Sequence, residues 1–343
     1  MGLVWPNPAV GCVIVKDGRI VGRACTAPGG RPHAETIALA QAGALAAGAT
    51  AYVTLEPCAH HGKTPPCADA LAAAGISRVV VGTRDPDPRV ADKGIAMLRG
   101  AGVEVTENVL AAEARHDHAG FLSRITERRP FVTLKLAGTL DGRIATATGE
   151  SQWITGPMAH RAVHMMRARH DAVMVGAGTV RADDPSLTVR NLGVSHNPVR
   201  VVVSRTLRLP QDCQLARTAR DTPVWLCHGP EAPATSWVAL GARSLPCAVA
   251  AGQIDVASVM QALADAGITR VFCEGGGMLA ASLLSAGLVD ELVAFTAGMA
   301  IGAEGTPALA AMGIDSLQGA PRFVLTSVRQ TGPDICHIWQ RES

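Results

Sequence analysis

Three residues with metal-binding side chains stand out by type and order: His33, Cys58 and Cys67. An imidazole and two thiolates suit Zn2+, and three protein ligands leave a fourth tetrahedral position for water, the arrangement of a catalytic rather than a closed structural site. Glu35, just beyond the histidine, gives this chemistry its direction. A structural zinc site has no use for a neighbouring carboxylate that is not a ligand. Hydrolytic removal of an amine needs one, to carry protons between an activated water and the departing nitrogen. Glu35 is therefore the candidate proton shuttle. Singly, these residues have plainer meanings, such as a helix-start histidine or a buried thiol; their joint order carries the chemistry.

The order H-x-E…P-C…C is that of zinc-dependent nucleobase deaminases. The interval from Cys58 to Cys67 is wider than the C-x-x-C of deaminases acting on cytidine or on nucleic-acid bases, which points to another branch. His60, His61 and Lys63 lie between the cysteines, where they either face a ligand over the metal or are solvated. Glu56 reads as an ion-pair or strand-end residue without a catalytic role, and Asn7, between two prolines, as a turn residue.

The elements must deliver these side chains to one place. Ala9–Val15 and the run from Arg19 read as strands joined by the Asp17-Gly18 turn. An Ala-rich helix is predicted from His33 to about Ala47, a short buried strand over Ala51–Leu55, and a helix opened by Pro65-Pro66-Cys67. The ligands then come from two helix starts and one strand end. Strands at Ser77–Gly82 and Val103–Thr106 complete an α/β sandwich with a mostly parallel sheet. A polar helix over Val109–Arg129 stops at Pro130, where a domain boundary is placed.

Beyond it, Phe131–Ala137 is a predicted strand bearing Lys135, and Pro157–Arg169 a helix. The strand Asp171–Val175 runs into Gly176-Ala177-Gly178-Thr179, only half of a dinucleotide fingerprint because Arg181 stands where a third glycine would fall. Val199–Val203, Val224–Cys227 and Arg270–Cys273 are further strands. The last enters Glu274-Gly275-Gly276-Gly277 and an apolar helix, so backbone N–H groups can approach a phosphate there; alone, the triple glycine could equally be a turn. Glu291–Ala297, Arg322–Thr331 and Asp334–Gln340 read as antiparallel edge strands.

Length and composition bound the function. A chain of 343 residues accommodates two domains. A formal charge of +2 and scattered basic residues give no footprint for nucleic acid. Nine cysteines, irregularly spaced and mostly in apolar runs, read as reduced thiols of a cytoplasmic protein. No signal peptide or membrane-spanning run is read. A nucleic-acid-base deaminase would call for a basic groove and C-x-x-C spacing; a non-catalytic zinc module would have no need of Glu35.

With both halves in view, the chain resembles the bifunctional riboflavin-biosynthesis deaminase–reductase family along essentially its whole length. The segments that carry the resemblance are Pro6-Asn7-Pro8-Ala9-Val10-Gly11-Cys12, Pro32-His33-Ala34-Glu35, the stretch from Leu55 to Cys67, Ser151-Gln152-Trp153-Ile154-Thr155, Ala182-Asp183-Asp184-Pro185 and Glu274-Gly275-Gly276. The resemblance implies a cytidine-deaminase-like three-layer α/β/α domain over residues 1–129. A dihydrofolate-reductase-like α/β domain would follow over 130–343. The first would deaminate a diaminopyrimidine ribosylamino phosphate with one Zn2+ on His33, Cys58 and Cys67, and the second would use NADPH to reduce the ribose to a ribityl chain.

By the same resemblance, Asn7, His60 and Lys63 contact the deaminase substrate. Lys135, Ser151, Arg167, Asp183, Leu187, Arg190 and Glu274 match positions that bind substrate or cofactor. Ala137, Trp153, Thr179, Gly275, Gly276 and Gly277 fall on the NADPH side. Arg167 and Arg190 read as a guanidinium clamp on a terminal phosphate, and Ser204 with Arg205 and Arg208 as a seat for the 2′-phosphate of NADPH. Lys135 or Asp183 would manage the proton in reduction, a choice the sequence leaves open. The partners implied are small-molecule substrates and further copies of the chain, as a dimer or tetramer. The family's usual helix before Pro6-Asn7-Pro8 is not found and Thr26 stands at a frequent histidine position, so a reductase with an impaired deaminase half is the alternative.

Overall fold

Asp17 and Gly18, at φ 48° and 73°, join β1 (Gly11–Lys16) to β2 (Arg19–Cys25) as an antiparallel hairpin. The computed structural model describes residues 2–59, 65–88 and 91–342, and the chain divides into two compact units, Leu3–Arg129 and Pro130–Ser343, apart from the first two residues.

In the first unit the hairpin is followed by α1 (Ala34–Ala42), β3 (Thr50–Val53), α2 (Cys67–Ala73), β4 (Arg78–Val81), α3 (Lys93–Gly100), β5 (Glu104–Thr106) and α4 (Ala111–Thr126). α1 is shorter than its alanine run because Gly43 takes φ 53°, and the chain continues as a 3-10 turn over Gly43–Ala46. The strands order as β2-β1-β3-β4-β5. β1 is antiparallel to both neighbours, and only β3, β4 and β5 run parallel, so the sheet is mixed rather than mostly parallel. The opening hairpin imposes this, since its two-residue turn can join only antiparallel strands. Ala38, Leu71, Leu98 and Phe121 bring the four long helices onto Ile14, Val53 and Val79 in one core.

The second unit contains β6 (Phe131–Thr139), β7 (Arg143–Ala145), α5 (Pro157–Arg169), β8 (Ala172–Gly176), α6 (Ala177–Asp183), β9 (Val199–Ser204), α7 (Gln214–Arg217), β10 (Val224–His228), α8 (Thr235–Ala239), β11 (Arg243–Pro246), β12 (Val249–Ala250) and β13 (Gln253–Ile254). There follow α9 (Val256–Asp265), β14 (Arg270–Cys273), α10 (Gly277–Ser285), β15 (Glu291–Ala297), β16 (Thr306–Pro307), β17 (Phe323–Thr331) and β18 (Asp334–Arg341).

Nine strands form one sheet in the order β11-β10-β9-β8-β14-β6-β15-β18-β17. The strands from β11 to β15 are parallel, and the near-continuous apolar sequences of β8, β9, β10 and β14 follow from burial on both faces. β18 and β17 close the sheet antiparallel. Glu291–Ala297 is thus an inner strand between β6 and β18, not an edge: Val293, Phe295 and Ala297 are all buried. β14 returns between β8 and β6, so chain direction across the sheet reverses there. In open parallel sheets such a switch point, at the carboxyl ends of the strands, is where ligands bind.

Candidate active sites

Extended backbone at His33 turns directly into α1, making His33 the N-cap and placing Glu35 in the first turn. Pro66 caps α2 in the same way and makes Cys67 its first residue, while Cys58 follows the end of β3. His33 Nδ1 lies 3.3 Å from Cys67 Sγ and 3.6 Å from Cys58 Sγ. The three ligand atoms all lie within 4.8 Å of one another. Cys67 N–H donates to Cys58 Sγ at 3.3 Å. The Cys67 thiol, helped by His33, holds the Cys58 thiol down at about 4 despite its burial. Burial pushes the Glu35 carboxyl up, and its Oε2 is buried without a hydrogen-bond partner. These residues fit Zn2+: the cation would take the place of shared protons and neutralise two thiolates, and the orphaned carboxylate oxygen stands beside the donors without being one of them.

Residues around this cluster have structural work. Glu56 accepts hydrogen bonds from the backbone N–H groups of Asp85, Asp92, Gly94 and Ile95 at 3.1–3.3 Å, so its carboxylate caps α3. A Cβ on Gly94 would lie 1.9 Å from Pro57 O, so only glycine lets α3 approach the strand end that carries Cys58. Thr26 Oγ1 accepts from Val10 N–H at 3.0 Å and donates to Pro8 O at 3.1 Å, pinning the entry to β1. Asn7 lies over Gly30, which has φ 83° and no room for a Cβ. His60 and Lys63 lie outside the described residues.

In the second unit the adjacent strands β8 and β14 both end in glycine turns. Gly276 N–H donates to Thr179 Oγ1 at 3.1 Å. A Cβ on Gly275 would come within 2.8 Å of Leu279 Cδ2 and 3.1 Å of Gly176 N, so the two turns pack together only as glycine. Thr179, Gly275, Gly276 and Gly277 thereby share one place, and nothing lies within 4 Å of a Cβ on Gly178. This is a cradle that fits a phosphate-bearing cofactor at the start of α10.

Beside it, Arg167 on α5 grips Glu274 with Nε to Oε1 at 2.5 Å and Nη2 to Oε2 at 2.8 Å. Lys135 and Ala137 stand on β6. Burial lowers the Lys135 pKa, the nearby Glu274 and Asp183 carboxylates oppose this, and Arg167 adds to it. A cleft of about 630 Å3 is lined by Trp153, Thr155, His160, Met299, Pro333 and Asp334 among others. The Trp153 and His160 rings lie 4.6 Å apart. Ser151 is half-buried in the loop that carries Trp153.

Three of the residues read from the sequence have internal partners or burial that only the structure shows. Arg167 is not a free half of a phosphate clamp: its guanidinium is engaged by Glu274 and by Thr188 O at 2.9 Å, leaving the exposed Arg190 as the available cation. Leu187 is packed into the core of the second unit, at 2% exposure. Ser204 is buried, with Oγ accepting from Leu207 N–H at 3.1 Å; it shapes the turn, while Arg205 and Arg208 are exposed.

His160, His164 and Asp334 carry no motif of their own in the sequence. The two histidines lie on the Arg167 face of α5 at helical spacing, a signal that could have found them. His164 Nδ1 accepts from Arg190 N–H at 3.3 Å.

The fold and the two sites define a two-domain enzyme, a zinc-binding deaminase unit followed by a reductase unit. Residues 4–83 match the family model of the cytidine and deoxycytidylate deaminase zinc-binding region, and residues 130–337 match the RibD C-terminal domain. The chain belongs to the RibD family of riboflavin biosynthesis proteins. It is 42% identical over 352 residues to riboflavin biosynthesis protein RibD of Escherichia coli K12, covering 96% of this chain and 92% of that one. The structure of Acinetobacter baumannii RibD (form 1) superposes with a TM-score of 0.89 at 38% identity, covering 99% of this chain and 94% of that one. That of a diaminohydroxyphosphoribosylaminopyrimidine deaminase/5-amino-6-(5-phosphoribosylamino)uracil reductase from Thermotoga maritima gives 0.87 at 36% identity, with the same coverage of 99% and 94%. Among the described residues no helix is long and apolar enough to cross a membrane.

Proposed function

We propose that His33, Cys58 and Cys67 hold the zinc ion and that Glu35 moves the protons in deamination of a diaminopyrimidine ribosylamino phosphate. The observation that carries this is the partnerless Oε2 of Glu35, buried beside three ligand atoms. Bound zinc supplies Lewis acidity towards a water. Glu35, with its pKa raised by burial, takes a proton and delivers it to the departing ammonia. Asn7, together with His60 and Lys63 of the neighbouring loop, contacts the substrate.

In the second unit, the substrate is the deaminated ribosylamino-uracil phosphate. Thr179 and Gly275–Gly277 cradle NADPH, with Ala137 and Trp153 at its nicotinamide end; Arg205, rather than the buried Ser204, faces the 2′-phosphate. NADPH supplies a hydride to the sugar carbon that bears the nitrogen. The C–O bond of the ring opens, and its oxygen needs one proton. Lys135 gives that proton, because it stands among Glu274, Arg167 and Asp183 with a lowered pKa, while Asp183 is exposed. Arg190 meets the terminal phosphate, Ser151 and Leu187 complete the substrate site, and the Arg167–Glu274 pair sets its floor. The protein works as a cytoplasmic homo-oligomer.

Supplying the diaminopyrimidine substrate with and without NADPH, and following ammonia release and NADPH oxidation separately, tests the whole reading. Ammonia should appear without NADPH, and NADPH oxidation should require prior deamination. Oxidation of NADPH with no ammonia released would leave only the reductase.

A further inference from the structure

Asp334 opens β18 at 2% exposure and has no part in the two reactions assigned above. Its Oδ2 accepts a hydrogen bond from Gly156 N–H at 2.7 Å, across a sequence separation of 178 residues. Gly156 is the N-cap of α5 and the end of the loop that carries Ser151, Trp153 and Thr155. Trp153 and Thr155 line the 630 Å3 cleft together with Met299, Pro333 and Asp334 itself. Neighbouring contacts show how closely the β17–β18 turn sits on the first turn of α5. A Cβ on Gly156 would lie 3.1 Å from Pro333 Cγ, and one on Gly332 would lie 3.3 Å from Met158 Sδ.

We infer that Asp334 is a positioning residue for NADPH: by clamping Gly156 it holds Trp153-Ile154-Thr155 as a wall of the cleft. A carboxylate is a stronger acceptor than a neutral group, which suits it to hold a loop end from a distant hairpin. Trp153 is 72% exposed, and its ring meets that of His160 on α5, the helix that Gly156 caps. A wall ordered before the ligand arrives spares binding the cost of ordering it afterwards. Trp153, Ile154, Pro157, Met299 and Pro333 give the cleft an apolar lining, which suits the face of a flat ring. The inference rests on the proposal that Trp153 lies on the NADPH side.

The test is calorimetric titration of the full chain with NADPH, alongside reductase kinetics. Asp334→Ala should weaken NADPH binding about tenfold and raise its KM by a similar factor, with kcat and ammonia release little changed. Asp334→Asn, whose amide oxygen still accepts from Gly156 N–H, should recover most of the affinity. Unchanged affinity in the alanine variant, an asparagine variant as weak as alanine, or a fall in kcat at unchanged affinity would each overturn the inference. Hydrogen exchange on the unaltered protein needs no variant to fold: the Gly156 amide should be protected, and exchange as fast as in an open loop would count against the clamp. Trp153→Ala separates the two readings. If it leaves NADPH affinity unchanged, the placement of the cofactor fails; if it weakens binding while Asp334→Ala does not, only the positioning role fails.

Discussion

Arg167 and Glu274, separated by 107 residues in sequence, meet in a bidentate ion pair at the switch point of the nine-stranded sheet. Both side chains are about nine-tenths buried. Burial raises the cost of the Glu274 charge, and the Arg167 guanidinium outweighs it, with Lys135 adding to the effect, so the carboxyl sits below its ordinary range. Removing one partner leaves the other charged and unpaired. Glu274→Gln should therefore destabilise the second unit by about 3–5 kcal/mol, read as a lowered Tm. Because the folded pKa is depressed, the stabilisation is full above the unfolded value of about 4.3 and fades as pH falls toward the lower folded value. The glutamine variant should lose that part of the acid dependence.

Glu35→Gln keeps the shape of the shuttle and removes its basicity. Ammonia release should fall by about 10²–10⁴, with metal content by elemental analysis and NADPH-dependent reduction of supplied intermediate unchanged. Retained deamination would remove Glu35 from the role.

Glu56→Ala tests a structural role for a residue next to the metal site. Three backbone N–H groups at the start of α3 and that of Asp85 in the loop after β4 lose their shared acceptor, at a cost of about 1–3 kcal/mol or more. Urea unfolding of the first unit should show it. Zinc affinity should fall as well, because Cys58 follows on the same strand end, whereas Glu56→Gln should retain more of both.

Lys135→Met separates the proton donor from its neighbours. With the lysine pKa lowered by burial, the reductase kcat should decline on the alkaline side at a pH below the ordinary lysine value of about 10.4. The methionine variant should lose that limb together with about a hundredfold or more of the rate. Asp183→Asn should keep the limb. If instead the limb survives in Lys135→Met, the proton comes from elsewhere.

Much of the first site is legible in residue order alone. His33-Ala34-Glu35 and the two cysteines announce their chemistry because zinc ligation and proton transfer each restrict the residue types, and the prolines and glycines around them mark where helices begin. The second site is less so. Glycine turns after Val175 and Cys273 are visible, yet nothing local says that their strands are neighbours, which is what makes Thr179 and Gly276 partners. Leu187 and Ser204 show a related limit of local sequence: their positions suit a ligand-binding loop, while the burial of each depends on packing from distant elements.

Read without coordinates, the chain already specifies two α/β domains, a zinc-type donor set with its carboxylate and a phosphate-suited glycine turn, because local backbone preference and ligand chemistry restrict which residues can stand there. Tertiary structure alone decided that the first sheet is mixed, that β15 is an inner strand, that Arg167 pairs with Glu274, and that Asp334 reaches Gly156. These depend on contacts between residues far apart in sequence, where burial sets the cost of every unpaired charge and hydrogen-bonding group.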